Sequence, residues 1–278
     1  MRRSWALGPL LLSSHPVPGL AVTAVTAVLA AAVGLDLRRI IVLTLVMAAD
    51  QLAVGWSNDA IDAERDRISG RTDKPIASGR IARRSVAIAA VVAGVCAFAG
   101  AFVLGPVAGA WHAVFLISAL AYNAGLKRTL LSVIPYMVSF GLLAVLVAAS
   151  ADPVRIAAPF AIGAGALLGV AAHFANVLPD LDDDERTGVR GLPHRLGARR
   201  TGVVAFAALL AAAALVVGGA PILGTAIALV VVGLLAAVGV VLVVRRSFGR
   251  ILFVLILVSA LALVVGLSFA GSAISTPA

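Results

Sequence analysis

The chain has 278 residues, 62% of them hydrophobic, and a mean hydropathy of +1.09. That is too apolar for a water-soluble domain and predicts a polytopic membrane protein. The net charge of +9 invites a nucleic-acid reading, but the placement of the charges argues against it, and a single cysteine, Cys96, excludes an intrachain disulfide or a cysteine-ligated metal.

The chain starts with Met1-Arg2-Arg3, but the polar Ser13-Ser14-His15-Pro16 interrupts the first apolar run, so no cleavable signal peptide is expected. Nine spans are predicted, at 16–35, 39–57, 85–104, 107–124, 130–150, 155–175, 201–219, 221–244 and 250–271, each near the ~20 residues that cross a bilayer. The expected fold is an all-α membrane protein, one transmembrane domain over residues 1–278. All but Arg38, Arg39 and Arg155 of the 22 Lys and Arg fall on one face, at the N-terminus and in the loops after the even-numbered spans. The positive-inside rule then places the N-terminus and these loops in the cytoplasm, with the C-terminus outside, as in a bacterial inner membrane or a plasma membrane. It accounts for the net charge with the lipid bilayer as partner and no nucleic acid.

Two large cytoplasmic loops, 58–84 and 176–200, also collect acids: of 13 Asp and Glu, five lie in 59–73 and five in 180–185. Topology needs only the bases, so the acids want their own explanation. Asn58, Asp62 and Asp66 are spaced i, i+4, i+8 and share one helical stripe, which Asp59 joins. Asn176, Asp180 and Asp184 repeat the spacing 118 residues later, and the same offset relates Gly70 to Gly188, Pro75 to Pro193 and Gly79 to Gly197. This predicts two parallel four-helix repeats with the ninth helix left over. Clustered hard oxygens repel one another and call for a cation, with Mg²⁺ the best match. Mg²⁺ keeps phosphate oxygens in its shell, and Arg71, Lys74, Lys127, Arg128 and Arg190 lie nearby to take further phosphate charge. A greasy bundle beneath suits a hydrocarbon tail, so the pattern points to an isoprenyl diphosphate rather than a nucleotide. No P-loop or dinucleotide fingerprint is present.

Here the sequence resembles the UbiA superfamily of intramembrane prenyltransferases. Asn58-Asp59-x-x-Asp62-x-x-x-Asp66 with Asp73-Lys74-Pro75-Ile76-Ala77-Ser78-Gly79 looks like its first motif; Asp180-x-x-x-Asp184 with Arg186, Gly188 and Leu192-Pro193 looks like its second. Tyr122-Asn123 with Lys127-Arg128 resembles the tyrosine and basic pair after the fourth helix. The resemblance implies that Mg²⁺ on the two motifs binds a polyprenyl diphosphate, that the allylic C–O bond ionises, and that a small, often aromatic acceptor captures the cation. Tyr122, Tyr136, Phe140 and Phe174 are candidates to shield that cation. Aromatic-acid members carry an arginine where His15 stands here, which weakens the case for a carboxylated acceptor. Some members cyclise the prenyl chain without an acceptor. Outside the resemblance, nine helices in a repeat also admit a transporter or lipid-binding protein, although its site belongs near the bilayer midplane.

Four further residues are candidates for the cavity or acceptor site: His15, Asp50, Gln51 and His173. Asp50 is a carboxylate inside a span, about 12 Å deeper than Asn58 and about 80° round the helix, either at the cavity or structural. Gln51 lies seven residues before Asn58 and His173 seven before Asp180, each on its stripe. His112 reads as structural, His194 as a solvated loop residue, and Asp182, Asp183 and Glu185 as a solvated acidic run or part of the site. Arg245, Arg246 and Arg250 read as lipid-headgroup residues.

Overall fold

The computed structural model describes residues 7–186, 188–220, 222–245, 250–269 and 271–278. Arg2, Arg3 and Arg246 lie outside the described residues, as do the side chains of Asp182, Asp183, Glu185 and Arg250.

Among the described residues, nine helices are long and apolar enough to cross a membrane. A short helix α1 (Leu7–Leu12) precedes α2 (Pro16–Val33), α3 (Leu37–Ile68), α4 (Arg83–Phe102) and α5 (Pro106–Ala124). Two 3₁₀ turns, Leu126–Arg128 and Leu130–Val133, lead into α6 (Ile134–Ala149). There follow β1 (Arg155–Ala157), α7 (Pro159–Val177), a 3₁₀ turn at Leu178–Asp180, α8 (Leu181–Arg186), α9 (Leu192–Gly219), α10 (Ile222–Val244), α11 (Arg250–Ser268) and β2 (Ser275–Pro277). The protein is an integral membrane protein, and all nine expected spans are present.

Three boundaries differ from expectation, each for a local reason. Helix α3 does not stop at 57: no Gly or Pro interrupts residues 56–68, so it runs on through the whole first acidic stretch, and the expected 58–84 loop begins only after Ile68. Helix α7 starts at Pro159, whose fixed φ suits the first helical turn. The residues before it pair instead as β1 with β2, an antiparallel ribbon of Arg155–Ala157 on Ser275–Pro277. Helix α9 begins at Leu192, nine residues early, and is kinked at Gly197 (φ 75°, ψ 162°).

The helices close on one another in a ring. Helix α3 packs on α2 and α4, α6 on α5 and α7, α7 on α9, α10 on α9 and α11, and α11 returns to α2. Their contact faces are rich in buried alanine, including Ala144, Ala148, Ala161, Ala164, Ala171, Ala205 and Ala212. Small residues suit this environment, since helix association in lipid rests on close van der Waals approach. At Gly169 a Cβ would meet the Tyr136 carbonyl oxygen, so α6 and α7 touch backbone to backbone and bring their site residues together. The glycines related by the offset of 118 share left-handed backbone: Gly70 and Gly188 at φ 67° and 80°, Gly79 and Gly197 at φ 73° and 75°. Pro75 and Pro193 are both buried.

Candidate active site

A cavity of about 580 Å³ opens beside the C-terminal ends of α3, α5 and α7. Asn58, Asp62 and Asp66 from α3 line it, and so do Asn176, Asp180 and Asp184 from the α7–α8 region. The two triplets related by the 118-residue offset therefore meet in one space. Lys74, Arg71, Lys127, Tyr122, His15, Gln51 and His173 also line it.

The acids are held by cations of the chain itself. Asp62 Oδ2 accepts from Lys127 Nζ at 2.5 Å and from Arg65 at 3.0 Å. Arg65 also lies 3.7 Å from Asp66 and 3.5 Å from Asp184, so one guanidinium spans both acidic stretches. Asp59 Oδ1 accepts from Lys74 Nζ at 2.5 Å and lies 2.9 Å from His15 Nε2. Lys127 also donates to Asn58 Oδ1 at 3.1 Å. Burial pulls the Lys127 ammonium below its ordinary range, against the raising influence of Asp62. At the rim, hydrogen bonds from Arg71 hold the Asp73 carboxyl below the usual carboxylate range, and the same pairing pushes the Arg71 guanidinium up.

The donor set fits a divalent ion. Asp62 is 2% exposed, and its second oxygen, Oδ1, is buried without a partner. A buried carboxylate oxygen left unpaired is costly. Among the described residues, no three His, Cys, Asp or Glu stand close enough to close a metal shell alone. Mg²⁺ does not require that, since it retains water and phosphate oxygens. Arg65 meanwhile supplies positive charge between the two acidic stretches.

Four of the predicted residues do not line the cavity. Arg128 and Arg190 are exposed outside it. Asp59 stands behind the His15–Lys74 pair. Asp50 is fully buried behind Gln51, which donates to its Oδ2 at 3.1 Å, and its Oδ1 lies 3.4 Å from His112 Nε2. His112 stacks on Phe115, itself a cavity residue.

Two residues that the sequence reading left aside belong to this site. Arg65 was counted only as a topology charge, but because α3 continues, its side chain turns back over the motif. His194, expected in solvated loop, is 4% exposed and lies 3.3 Å from Asp184, because α9 begins two residues before it and carries it inward. Arg65 had a sequence signal, the i+3 spacing from Asp62; His194 had none.

The mouth depends on one tight turn. His15 is the sole described non-glycine residue with positive φ (52°), between α1 and Pro16. Trp56 Nε1 donates to the Leu10 carbonyl at 2.8 Å, and Gly55 lets the Ser14 backbone lie directly on α3. A Cβ at Gly55 would run into the Ser14 carbonyl oxygen. Gly55→Ala should therefore lift the turn and carry His15 off Asp59, costing about 1–3 kcal/mol. A melting curve of the detergent-solubilised protein checks this, and an unchanged melting temperature would show that the turn has room.

Aromatic rings form the inner wall. Tyr122 and Tyr136 meet edge to face at 5.1 Å, Tyr136 stacks on Phe140 at 6.1 Å, and His173 lies 4.9 Å from Tyr136 and 5.7 Å from Tyr122. Phe174 points the other way, into the bundle core.

Comparison with known proteins agrees with this arrangement. The sequence matches the UbiA prenyltransferase family over residues 19–251. The fold is similar to the apo structure of a UbiA homolog from Aeropyrum pernix K1, with TM-score 0.70 and 21% identity over 92% of this chain and 97% of that one. It is also similar to a UbiA homolog from Archaeoglobus fulgidus bound to DMAPP and Mg²⁺, with TM-score 0.67 and 14% identity over 94% and 98%. A structure concerned with digeranylgeranylglyceryl phosphate synthase gives TM-score 0.64 and 14% identity over 99% of both chains. No curated protein sequence matches. With most of its length matched and the family's helical fold in place, this chain belongs to the UbiA prenyltransferase family.

Proposed function

We propose that this protein is a Mg²⁺-dependent intramembrane prenyltransferase that ionises a polyprenyl diphosphate and passes the prenyl group to a small, aromatic acceptor. The observation that carries this reading is the meeting of both N-x₃-D-x₃-D triplets in one cavity with Lys74, Lys127 and Arg65. Relatives of the same fold bind GPP or DMAPP with Mg²⁺.

In this reading Asn58, Asp62, Asp66, Asn176, Asp180 and Asp184 hold the metal, with Asp59 fixing His15 and Lys74 behind them. Bound Mg²⁺ would neutralise the diphosphate and stabilise the charge it gains as the allylic C–O bond breaks. Arg71, Lys74 and Lys127 bind the phosphate oxygens, and Arg65 exchanges its carboxylate partners for them. Tyr122, Tyr136 and Phe140 turn ring faces towards the cation and keep water from it. The matching glycine conformations support two parallel four-helix repeats, each carrying one triplet, in a single functional domain. The charge asymmetry supports a cytoplasmic N-terminus and a cytoplasmic site.

A second reading, a terpene cyclase, is favoured by the mouth of the cavity. Where aromatic-acid members carry an arginine, His15 shares Asp59 with Lys74, and this gives a carboxylated acceptor little to hold. One assay decides. The purified protein is incubated with Mg²⁺ and geranyl, farnesyl or geranylgeranyl diphosphate, with and without phenolic acceptors. Diphosphate release that requires the acceptor and yields a prenylated phenol is the expected result. A cyclic hydrocarbon formed without acceptor selects the cyclase. No release from any donor sinks both.

A further inference from the structure

Ionisation and capture leave one proton unaccounted for. When an allylic cation attacks an aromatic carbon, a C–C bond forms and the ring C–H bond must break. With a hydroxyl acceptor the O–H bond breaks. With internal quenching, a C–H bond beside the cation breaks as the double bond forms. In every case one proton per turnover needs an acceptor. Most carboxylates of the site already serve cations: Asp62, Asp66 and Asp184 share Arg65, Asp62 also holds Lys127, Asp59 stands behind His15, and Asp180, at the partly exposed end of the second triplet, faces the Arg71 charge.

Resting on the prenyltransferase reading, we infer that His173 is the base that takes this proton from the reacting cation or its acceptor, with Ser132 as its positioning residue. His173 lies one helical turn from Asn176 on α7, on the same face and on the side away from Asp180. His173 and both triplets line the same cavity, so a prenyl chain leaving a diphosphate held between the triplets would pass the His173 ring. Its ring lines the cavity but is only 1% exposed, set among Tyr122, Tyr136 and Phe174.

Its two nitrogens are unequal. Nε2 lies 3.1 Å from Ser132 Oγ, while Nδ1 is buried with no partner. Ser132 Oγ already accepts the Leu192 backbone N–H at 3.0 Å and keeps a second lone pair. With Nε2–H donated to that lone pair, Nδ1 carries the free electron pair. The proton then moves from carbon or oxygen to Nδ1, and the electron pair of the broken bond restores the ring, forms the double bond or stays on oxygen. The imidazolium so formed lies within cation–π reach of Tyr122 and Tyr136. His194, the other imidazole facing this wall from α9, is held by Asp184.

A base acts after the C–O bond breaks, so its loss should separate two readouts that otherwise move together. Wild type, His173→Gln and Ser132→Ala are each given Mg²⁺ and geranylgeranyl diphosphate with the acceptor that the wild type uses. Released diphosphate and prenylated or cyclised product are measured in the same tube. Glutamine keeps the hydrogen bond to Ser132 but takes no proton. We expect His173→Gln to release diphosphate within about threefold of wild type while product falls about a hundredfold, with prenyl alcohol from water making up the difference. Ser132→Ala should show the same split, about tenfold, which a purely structural serine would not. Diphosphate and product falling in step in both variants, or product unchanged in His173→Gln, overturns the inference. A wild type that releases no diphosphate from any donor instead removes the prenyltransferase reading and this inference with it.

Discussion

Asp62→Ala should reduce diphosphate release by about a thousandfold or more. Asp62 holds Lys127 and Arg65 on one oxygen and leaves the other, buried and unpartnered, for a metal. Alanine also strips the counter-charge from Lys127, which is 6% exposed, and leaving a buried charge without its partner costs about 3–5 kcal/mol. A loss of activity could then be mere unfolding, so the test needs a second variant. Asp62→Leu with Lys127→Met removes the pair as a unit, and a buried pair replaced by apolar side chains is about neutral or stabilising. The double variant should melt near wild type and still release no diphosphate. Asp180→Ala, at a partly exposed site, should lose turnover with little change in melting. Turnover near wild type in either Asp62→Ala or Asp180→Ala would dissolve the shared metal site.

The two acidic triplets were legible because side-chain spacing on a helix is nearly rigid. Given i, i+4, i+8 on the unbroken α3, Asn58, Asp62 and Asp66 must face one way; their copies run from α7 through a 3₁₀ turn into α8 and still line the same cavity. The nine spans were legible because the bilayer sets a length that composition alone can meet. Arg65 was not, since whether an arginine near a helix end faces solvent or turns over its own motif depends on whether the helix continues, and hydropathy falls away just where α3 runs on. His194 was hidden for a similar reason: its direction is set by where α9 begins and by Gly191 packing on the Lys127 carbonyl oxygen, a contact between residues far apart in the chain. The His173–Ser132 contact required α6 and α7 to touch at Gly169, which no local pattern announces. Asp50 was half legible. A carboxylate inside a span, about 80° from the Asn58 stripe, left it either at the cavity or structural, and nothing near it in sequence said that His112 of α5 would meet it.

That pair supports the second large effect, which falls on stability rather than chemistry. Asp50→Ala should cost about 3 kcal/mol or more. The carboxylate is fully buried, and its removal takes from Gln51 the acceptor for its amide and from His112 its neighbour 3.4 Å away. His112 is 1% exposed and neither of its ring nitrogens has a hydrogen-bond partner, so Asp50 is the anion that faces it. In lipid no water enters to replace what is lost. If the cost comes from stranding His112, then Asp50→Leu with His112→Leu should recover much of it, and a double-mutant cycle on melting should return a coupling of about 1–3 kcal/mol. Turnover should fall only modestly in Asp50→Ala, through loosening of Gln51 and Phe115 on the cavity wall, because Asp50 itself does not reach the cavity. The opposite pattern, unchanged melting with turnover lost, would mean that Asp50 meets the substrate after all and that the wall formed by Gln51 opens when the site fills.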